Sequence, residues 1–353
     1  MHKDLELSKK LAGNIRFSGD SLRASEKSAS RESSSLKNIF YTNELCISEE
    51  VTPELNKSLE RVLSRMGIPG DSIEAFVYAS PEINAQCFAG DGSDCVIRFS
   101  SALVDILNEA EFEFVVGHEL GHFLLSHSKI NADNHSESIE FYMQQRAQEI
   151  SADRIGLIAC DSLDSAVKAL LKTVSGLNDK YLKFNVGAFL SQLRKTRGSI
   201  VNSHQSTHPS ILIRCRALLW FSLNESYINK SKTYPKDIML SLDEKIKDDL
   251  DKYVDSSARK KINEAKLDLS IWKAAFEIIQ DGKFSKKEQA NFKKHFGEET
   301  LAKLVGYLSD LSPSELKKAV EGKIEESKLV LEHLIPSSFS DELELFEAWR
   351  RGT

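Results

Sequence analysis

The chain has 353 residues, 41% of them hydrophobic, with a formal net charge of −6 and a calculated isoelectric point near 5.9. This length allows two globular domains, and the apolar fraction is ordinary for a folded protein. A mildly acidic chain without a basic patch argues against nucleic-acid binding, and no apolar run approaches the roughly 18–20 residues that a transmembrane helix needs.

The cysteines and the N-terminus bear on the cellular compartment. The five cysteines show no CxxC spacing, which argues against a disulfide framework and against a thiolate metal site. Residues 1–16 alternate charged and apolar side chains and have no apolar core of the kind found in signal peptides. These features predict a cytoplasmic protein.

The chain begins with a polar segment and then becomes patterned. Serine and charged residues dominate residues 18–37, so residues 1–38 are predicted to form a flexible arm. A helix is predicted to start at Pro53, because proline suits the first position of a helix. The elements predicted next are strands at 73–78, 85–88 and 96–99 and helices at 101–106 and 109–127.

The second of these helices carries the motif His118-Glu119-Leu120-Gly121-His122. Residues four apart lie on one face of a helix, so both imidazoles can reach one cation, and Glu119 projects beside them. The arrangement predicts zinc-dependent hydrolysis, with Glu119 as the general base for a zinc-bound water. The alternative is a polar helix face with two surface histidines.

A catalytic zinc ion needs a third protein ligand. In one class of enzymes the motif extends to a third histidine, but here Ser128 occupies that position. His127 lies five residues after His122, about 500° of helical rotation, which predicts a surface side chain facing away from the metal. The third ligand is therefore expected on the next helix.

That helix, predicted over residues 137–160, contains Glu149 and Asp153. Glu149 lies far enough beyond the motif for the chain to form a loop and return antiparallel, which makes it the candidate third ligand. Asp153 is one helical turn later and on the same face, where it can accept the outer N–H of His118. The alternative is a solvated acidic pair on an amphipathic helix.

Three ordered motifs resemble those of the HtpX-type gluzincin metallopeptidases. They are HELGH at 118–122, Glu149 followed by Ala152-Asp153, and Thr207-His208-Pro209-Ser210 followed by Arg214. The resemblance covers about residues 45–222. It implies an α+β fold, namely a mainly helical zincin (gluzincin) peptidase domain with a small β-sheet edge. It also implies one Zn²⁺ per chain, held by His118, His122 and Glu149, and protein or peptide substrates. Many relatives carry transmembrane helices around the catalytic helix, so this chain resembles the soluble branch.

The third motif contributes two further candidates. The resemblance implies that His208 lies near the zinc, where it stabilises the oxyanion or caps the metal when the enzyme is shut. Arg214 would pair with Glu149, with Asp153 or with the substrate. The alternatives are a structural hydrogen bond for His208 and an ordinary surface position for Arg214.

The resemblance also places an edge strand beside the active site. The family tends to show Asn-Ala before this strand, as Asn84-Ala85 does here. An extended substrate is expected to add to the strand at 96–100 through main-chain hydrogen bonds. The predicted substrate-binding residues are Asn84, Val96, Ile97, Arg98 and Phe99.

The C-terminal part is predicted to be almost entirely helical, with mixed charges. Ser285 and Ser312 begin capping boxes, and the segment at 280–288 is weakly similar to TerB-like helical domains. We therefore expect a peptidase domain at 39–227 and a helical interaction or regulatory domain at 228–353, which could bind a regulatory protein partner. The linker is predicted at 224–235.

The sequence as a whole predicts a zinc metalloendopeptidase, a hydrolase of protein substrates. One alternative is a binding or sensor module that retains zinc without turnover. Glu119 argues against it, because closed structural zinc sites need no base. The other alternative is an adaptor whose C-terminal helical domain regulates the peptidase.

Overall fold

The computed structural model describes residues 33–89, 95–125, 127, 138–183, 185–191, 210–231, 234–253, 256–279, 285–309, 311–336 and 338–344. In this part of the chain, helices and one four-stranded sheet confirm the predicted mainly helical α+β fold. The contacts divide the chain into two compact units. The first ends at Val254, and the second comprises Asp255–Thr353 together with Ser138–Glu140.

The helices and strands are numbered in chain order. Those up to the end of the sheet are α1 Ser33–Asn43, β1 Leu45–Cys46, α2 Pro53–Met66, β2 Ile73–Tyr78, β3 Ala85–Ala89 and β4 Cys95–Ser100. Helices α3 Ser101–Ile106, α4 Glu109–Leu124, α5 Ile139–Cys160, α6 Leu163–Ser175, α7 Val186–Leu190, α8 Ile211–Ser222, α9 Glu225–Ile228 and α10 Lys236–Tyr253 follow. The last four are α11 Ser256–Ile278, α12 Lys286–Phe296, α13 Glu298–Ser309 and α14 Pro313–Leu334. None of the helices in the described ranges is long and apolar enough to cross a membrane.

The sheet has the strand order β1-β2-β4-β3. Strand β4 runs parallel to β2, with Ile73 opposite Cys95, and antiparallel to β3, with Ala85 opposite Phe99. Strand β4 is therefore an interior strand, paired on both sides. Among the described strands, β3 and β1 form the two edges of the sheet.

Helix α1 covers one face of this sheet. Side chains alternate between the two faces of a strand, so Ile97 and Phe99 enter the main core while Val96 lies on the other face. Phe40 of α1 packs there against Phe76 and Val96. The expectation of a flexible arm through residue 38 was therefore wrong for residues 33–38, because apolar residues just after the serine-rich run stabilise a helix. Residues 1–32 lie outside the described part.

Glycines allow α4 and α5 to pack with their backbones in close contact. A Cβ atom on Gly117 would lie 2.2 Å from the Cβ of Ala159, and one on Gly121 would lie 2.9 Å from the Cα of Ala152. On α5, a Cβ on Gly156 would lie 2.8 Å from the carbonyl oxygen of Phe114. This approach positions the motif of α4 against the acidic residues of α5.

Helix α10 belongs to the first unit. Its Met239 and Leu242 join the main core, and Ile246 and Leu250 pack with residues of α5 and α8. Asp243 forms an ion pair with the buried Arg154 of α5 at 2.7 Å. The compact unit thus extends to Val254, beyond the boundary at residue 227 that the sequence predicted. The predicted linker also contains the short helix α9.

The second unit has its own hydrophobic cores. One core contains Ala275, Phe292, Leu304 and Val320, and another lies around Leu269 and Leu331. Capping boxes begin α12 at Ser285 and α14 at Ser312, as the sequence predicted.

Candidate metal centre

The two motif histidines lie on α4, one helical turn apart. The helix begins with a capping box, in which the Asn108 side chain accepts from the Glu111 N–H and the Glu111 carboxylate accepts from the Asn108 N–H. The Nε2 atoms of His118 and His122 are 3.1 Å apart. Two nitrogens bound tetrahedrally to one zinc at 2.0–2.1 Å would be separated by roughly 3.3 Å, so this spacing fits a shared cation.

Glu149 of α5 completes a set of three donors. Its carboxylate oxygens lie 3.4 Å from Nε2 of His122 and 3.7 Å from Nε2 of His118. One donor atom from each residue falls within 4.8 Å of the others, a grouping that could hold a metal ion. Two imidazole nitrogens and a carboxylate oxygen are donors that zinc accepts, so these residues fit the ion.

Asp153, one turn after Glu149, lies behind His118. Its Oδ1 is 3.0 Å from Nδ1 of His118. Burial lowers the pKa of His118, but the hydrogen bond to Asp153 and the charge of Glu149 outweigh it, and the pKa is raised overall. A carboxylate on Nδ1 places the ring proton there and leaves Nε2 free to bind a metal.

Arg214 of α8 joins both acidic residues. It donates two hydrogen bonds to Asp153, at 2.7 and 2.6 Å, and its Nη1 lies 3.2 Å from Glu149. Burial acts to raise the pKa of each carboxyl, but the Arg214 guanidinium and the neighbouring histidines together outweigh it and lower both pKa values, that of Glu149 well below its usual value. Arg214 and the histidines therefore favour the ionised form of two buried carboxylates.

Glu119 is buried next to this group. Burial raises its pKa, opposed by His118 and His122. A hydrogen bond to Cys95, burial and the nearby Glu119 carboxylate raise the pKa of the Cys87 thiol on β3. Strand β3 packs against α4, the helix that carries Glu119.

His127 differs from its prediction as a surface side chain. It is 1% exposed, and its Nδ1 is 2.8 Å from Nδ1 of His122. The rotation argument failed because α4 ends at Leu124, before His127. The sequence signal that could have indicated this contact was a third histidine within a few residues of the motif.

The predicted substrate strand also needs correction. The strand at 96–100 is not an edge, because β2 and β3 pair with it on both sides. Ile97 and Phe99 are buried in the main core, and Val96 is buried on the opposite face. Arg98 pairs with Glu44 and lies 4.5 Å from the ring of Phe40. These four side chains already have structural contacts.

The remaining predicted site residues are Asn84 and His208. The main chain of Asn84 is hydrogen-bonded to Ser100 at the start of β3, beside the edge. His208 lies in residues 201–209, outside the described part of the chain.

Residues 49–143 match the profile described as Peptidase family M48. Metalloprotease YcaL of Escherichia coli (strain K12) is 39% identical over 74 residues, which are 20% of this chain and 28% of YcaL. Metalloprotease LoiP of the same organism is 36% identical over 78 residues, which are 22% of this chain and 29% of LoiP. Plastoglobule-localized metallopeptidase 48, chloroplastic, of Arabidopsis thaliana is 25% identical over 184 residues, 44% of this chain and 53% of that protein.

The chain therefore spans between 28% and 53% of the length of these curated relatives. No solved structure matches it significantly. The profile match contains the HExxH motif, while Glu149, Asp153 and Arg214 lie beyond it. Residues 49–143 are thus similar in sequence to the metallopeptidases of Peptidase family M48.

Proposed function

We propose that this protein is a zinc-dependent metalloendopeptidase that hydrolyses peptide bonds of protein substrates. The observation that carries the proposal is the convergence of His118, His122 and Glu149 beside the buried Glu119. The likeness to metallopeptidases over the same helix supports it. One Zn²⁺ per chain would be held by the three donors.

The roles of the residues follow from their positions. When bound, zinc supplies a Lewis acid that acidifies water and polarises a carbonyl. Glu119 takes a proton from the attacking water and delivers it to the leaving amine as the C–N bond breaks. Asp153 and Arg214 hold His118 and Glu149 in place. From the sequence resemblance alone, His208 is proposed to stabilise the oxyanion.

The substrate is proposed to bind as an extended strand along β3. This strand is an edge of the described sheet and packs against α4, which carries Glu119, whereas β4 is paired on both sides. An added strand gains main-chain hydrogen bonds at such an edge, whatever its side chains. The expected specificity is therefore loose with respect to sequence, with Asn84 at the start of the strand.

A regulatory role is proposed for the second unit. It forms its own hydrophobic cores and is a separate compact unit, which suits a module that binds a regulatory partner or controls access to the peptidase. The match to the Peptidase family M48 profile covers residues 49–143 and does not reach residues 255–353.

The replacement Glu119→Gln tests the proposed reaction. It keeps the size and the hydrogen-bonding shape but removes the base, so casein hydrolysis should fall by at least 10²–10⁴-fold. Zinc content, measured by mass spectrometry of the metal, should stay at one ion per chain. A chelator should abolish activity of the wild type, and added zinc should restore it.

The exposed Glu54 of α2 provides the matched control. Glu54→Gln makes the same chemical change outside the site and should retain wild-type activity. The proposed role of Glu119 is wrong if Glu119→Gln keeps activity within tenfold of the control while both proteins hold zinc.

A further inference from the structure

The outer nitrogens of the two motif histidines face different partners. Nδ1 of His118 faces the carboxylate of Asp153, while Nδ1 of His122 lies 2.8 Å from Nδ1 of His127. The rings of His122 and His127 are tilted by 74°, with centroids 4.9 Å apart. His127 is 1% exposed, so water does not compete for this contact.

Hydrogen-bond chemistry fixes the protons in this pair. A histidine that binds a cation through Nε2 must keep its proton on Nδ1. His122 then donates from Nδ1, and His127 must accept with an unprotonated Nδ1. The proton of neutral His127 consequently lies on its Nε2.

We propose that His127 is a positioning residue for the metal centre, which fixes the tautomer and the ring orientation of His122. It does for His122 what Asp153 does for His118, with a neutral imidazole in place of a carboxylate. Such outer partners typically contribute 10–100-fold to metal affinity. The inference rests on the proposed zinc site.

Two substitutions separate this role from simple packing. His127→Asn keeps an acceptor at the δ position, whereas His127→Leu fills similar space without one. For a positioning residue, zinc affinity should fall by about 10–100-fold in His127→Leu and by only a few-fold in His127→Asn. For a packing residue the order reverses, because leucine suits a buried site better than an amide.

The readout is the zinc affinity of the full, metal-free chain, measured by competition with a chromophoric chelator. Thermal unfolding of the metal-free variants reports on folding separately. If the wild type binds no zinc, the proposed function fails. If it binds zinc and His127→Leu binds equally well, or His127→Asn is the weaker variant, only the role of His127 is overturned.

A measurement on the wild type remains decisive even if a variant does not fold. In the zinc-loaded chain with ¹⁵N-labelled histidines, the hydrogen bond should produce a scalar coupling between Nδ1 of His122 and Nδ1 of His127. The His122 proton should be on Nδ1. A His122 ring protonated on Nε2, or the absence of this coupling, would overturn the proposal.

Discussion

At the scale of single residues, Asp153 serves two groups with one buried carboxylate. It accepts from Nδ1 of His118 and receives two hydrogen bonds from Arg214. An anion in this position offsets the buried guanidinium and also directs the Nε2 lone pair of His118. Metal affinity and folding should therefore respond together when its charge is removed.

The replacement Asp153→Asn tests this coupling. An amide of the same shape keeps one acceptor oxygen but places a donor where Oδ2 accepts from Nε of Arg214, so that hydrogen bond is lost and Arg214 loses much of its compensating charge. Zinc affinity should fall by about 10–100-fold, and the free energy of unfolding by about 3 kcal/mol. Competition with a chelator and urea denaturation of the metal-free protein measure the two effects.

The control is Asp164→Asn, at an exposed position in the first turn of α6. It should alter both quantities little, because exposed charges contribute at most about 1 kcal/mol. If Asp153→Asn binds zinc as tightly as the wild type does, Asp153 does not contribute to metal binding.

Much of the site's residue geometry could be predicted, because it lies within regular helices. His118 and His122 are four apart, and so are Glu149 and Asp153, and the spacing of a helix places each pair on one face. The predicted contact of Asp153 with His118 is present. Arg214, expected to pair with Glu149, with Asp153 or with the substrate, contacts both carboxylates. His127 was missed because helical spacing has no meaning beyond the end of α4.

At the scale of elements, the contact between α4 and α5 depends on small residues. Glycine inside a helix normally costs roughly 0.5–1 kcal/mol relative to alanine. Here Gly117 leaves no room for a methyl group, because its Cβ would lie 2.2 Å from that of Ala159 and 3.0 Å from the Cα of Gly156. Close packing outweighs helix propensity at this position.

We predict that Gly117→Ala lowers the free energy of unfolding by about 1–3 kcal/mol, although alanine is the better helix former. The added methyl group should push α5 away and move Glu149 from the histidines, so zinc affinity should fall several-fold. Denaturation of the metal-free protein and chelator competition measure both changes.

Gly187→Ala is the control within the same unit. Among the described residues, a Cβ on Gly187 would meet the side chain of Asn185, at an ordinary 3.5 Å. Its stability should remain within about 1 kcal/mol of the wild type, and its zinc affinity should be unchanged. If Gly117→Ala and Gly187→Ala change stability and zinc affinity equally, α4 and α5 can move apart to accommodate the methyl group without a measurable cost.

The order of the strands could not be read from the sequence. Short apolar segments bounded by turn residues identified β2, β3 and β4, but such segments do not show which strands pair. The parallel pairing of β2 with β4 inserts the later strand between its predecessors. Strand β3 thereby becomes the edge, and the strand expected to bind the substrate becomes interior.

At the scale of the whole molecule, the end of the first unit was placed too early by the sequence. Helix α10 looks like a charged surface helix, yet Met239, Leu242, Ile246 and Leu250 form one apolar stripe along it. The stripe packs into the first unit, and Asp243 pairs with the buried Arg154. A local pattern does not reveal which of two neighbouring units a helix joins.

We predict that a chain ending at Val254 folds and binds zinc, while a chain ending at Lys230 does not. The shorter chain loses α10, which exposes the apolar residues beneath it and leaves Arg154 buried without Asp243. Breaking a buried ion pair alone costs about 3–5 kcal/mol, a large part of a typical domain's stability. Circular dichroism during heating and zinc content distinguish the two chains, and equally cooperative unfolding of both would contradict the assignment of α10.

The chain ending at Val254 can then test whether the second unit regulates the peptidase. If the second unit controls access, casein turnover by the chain ending at Val254 should differ at least several-fold from that of the full chain, whereas equal rates would reject the proposed control.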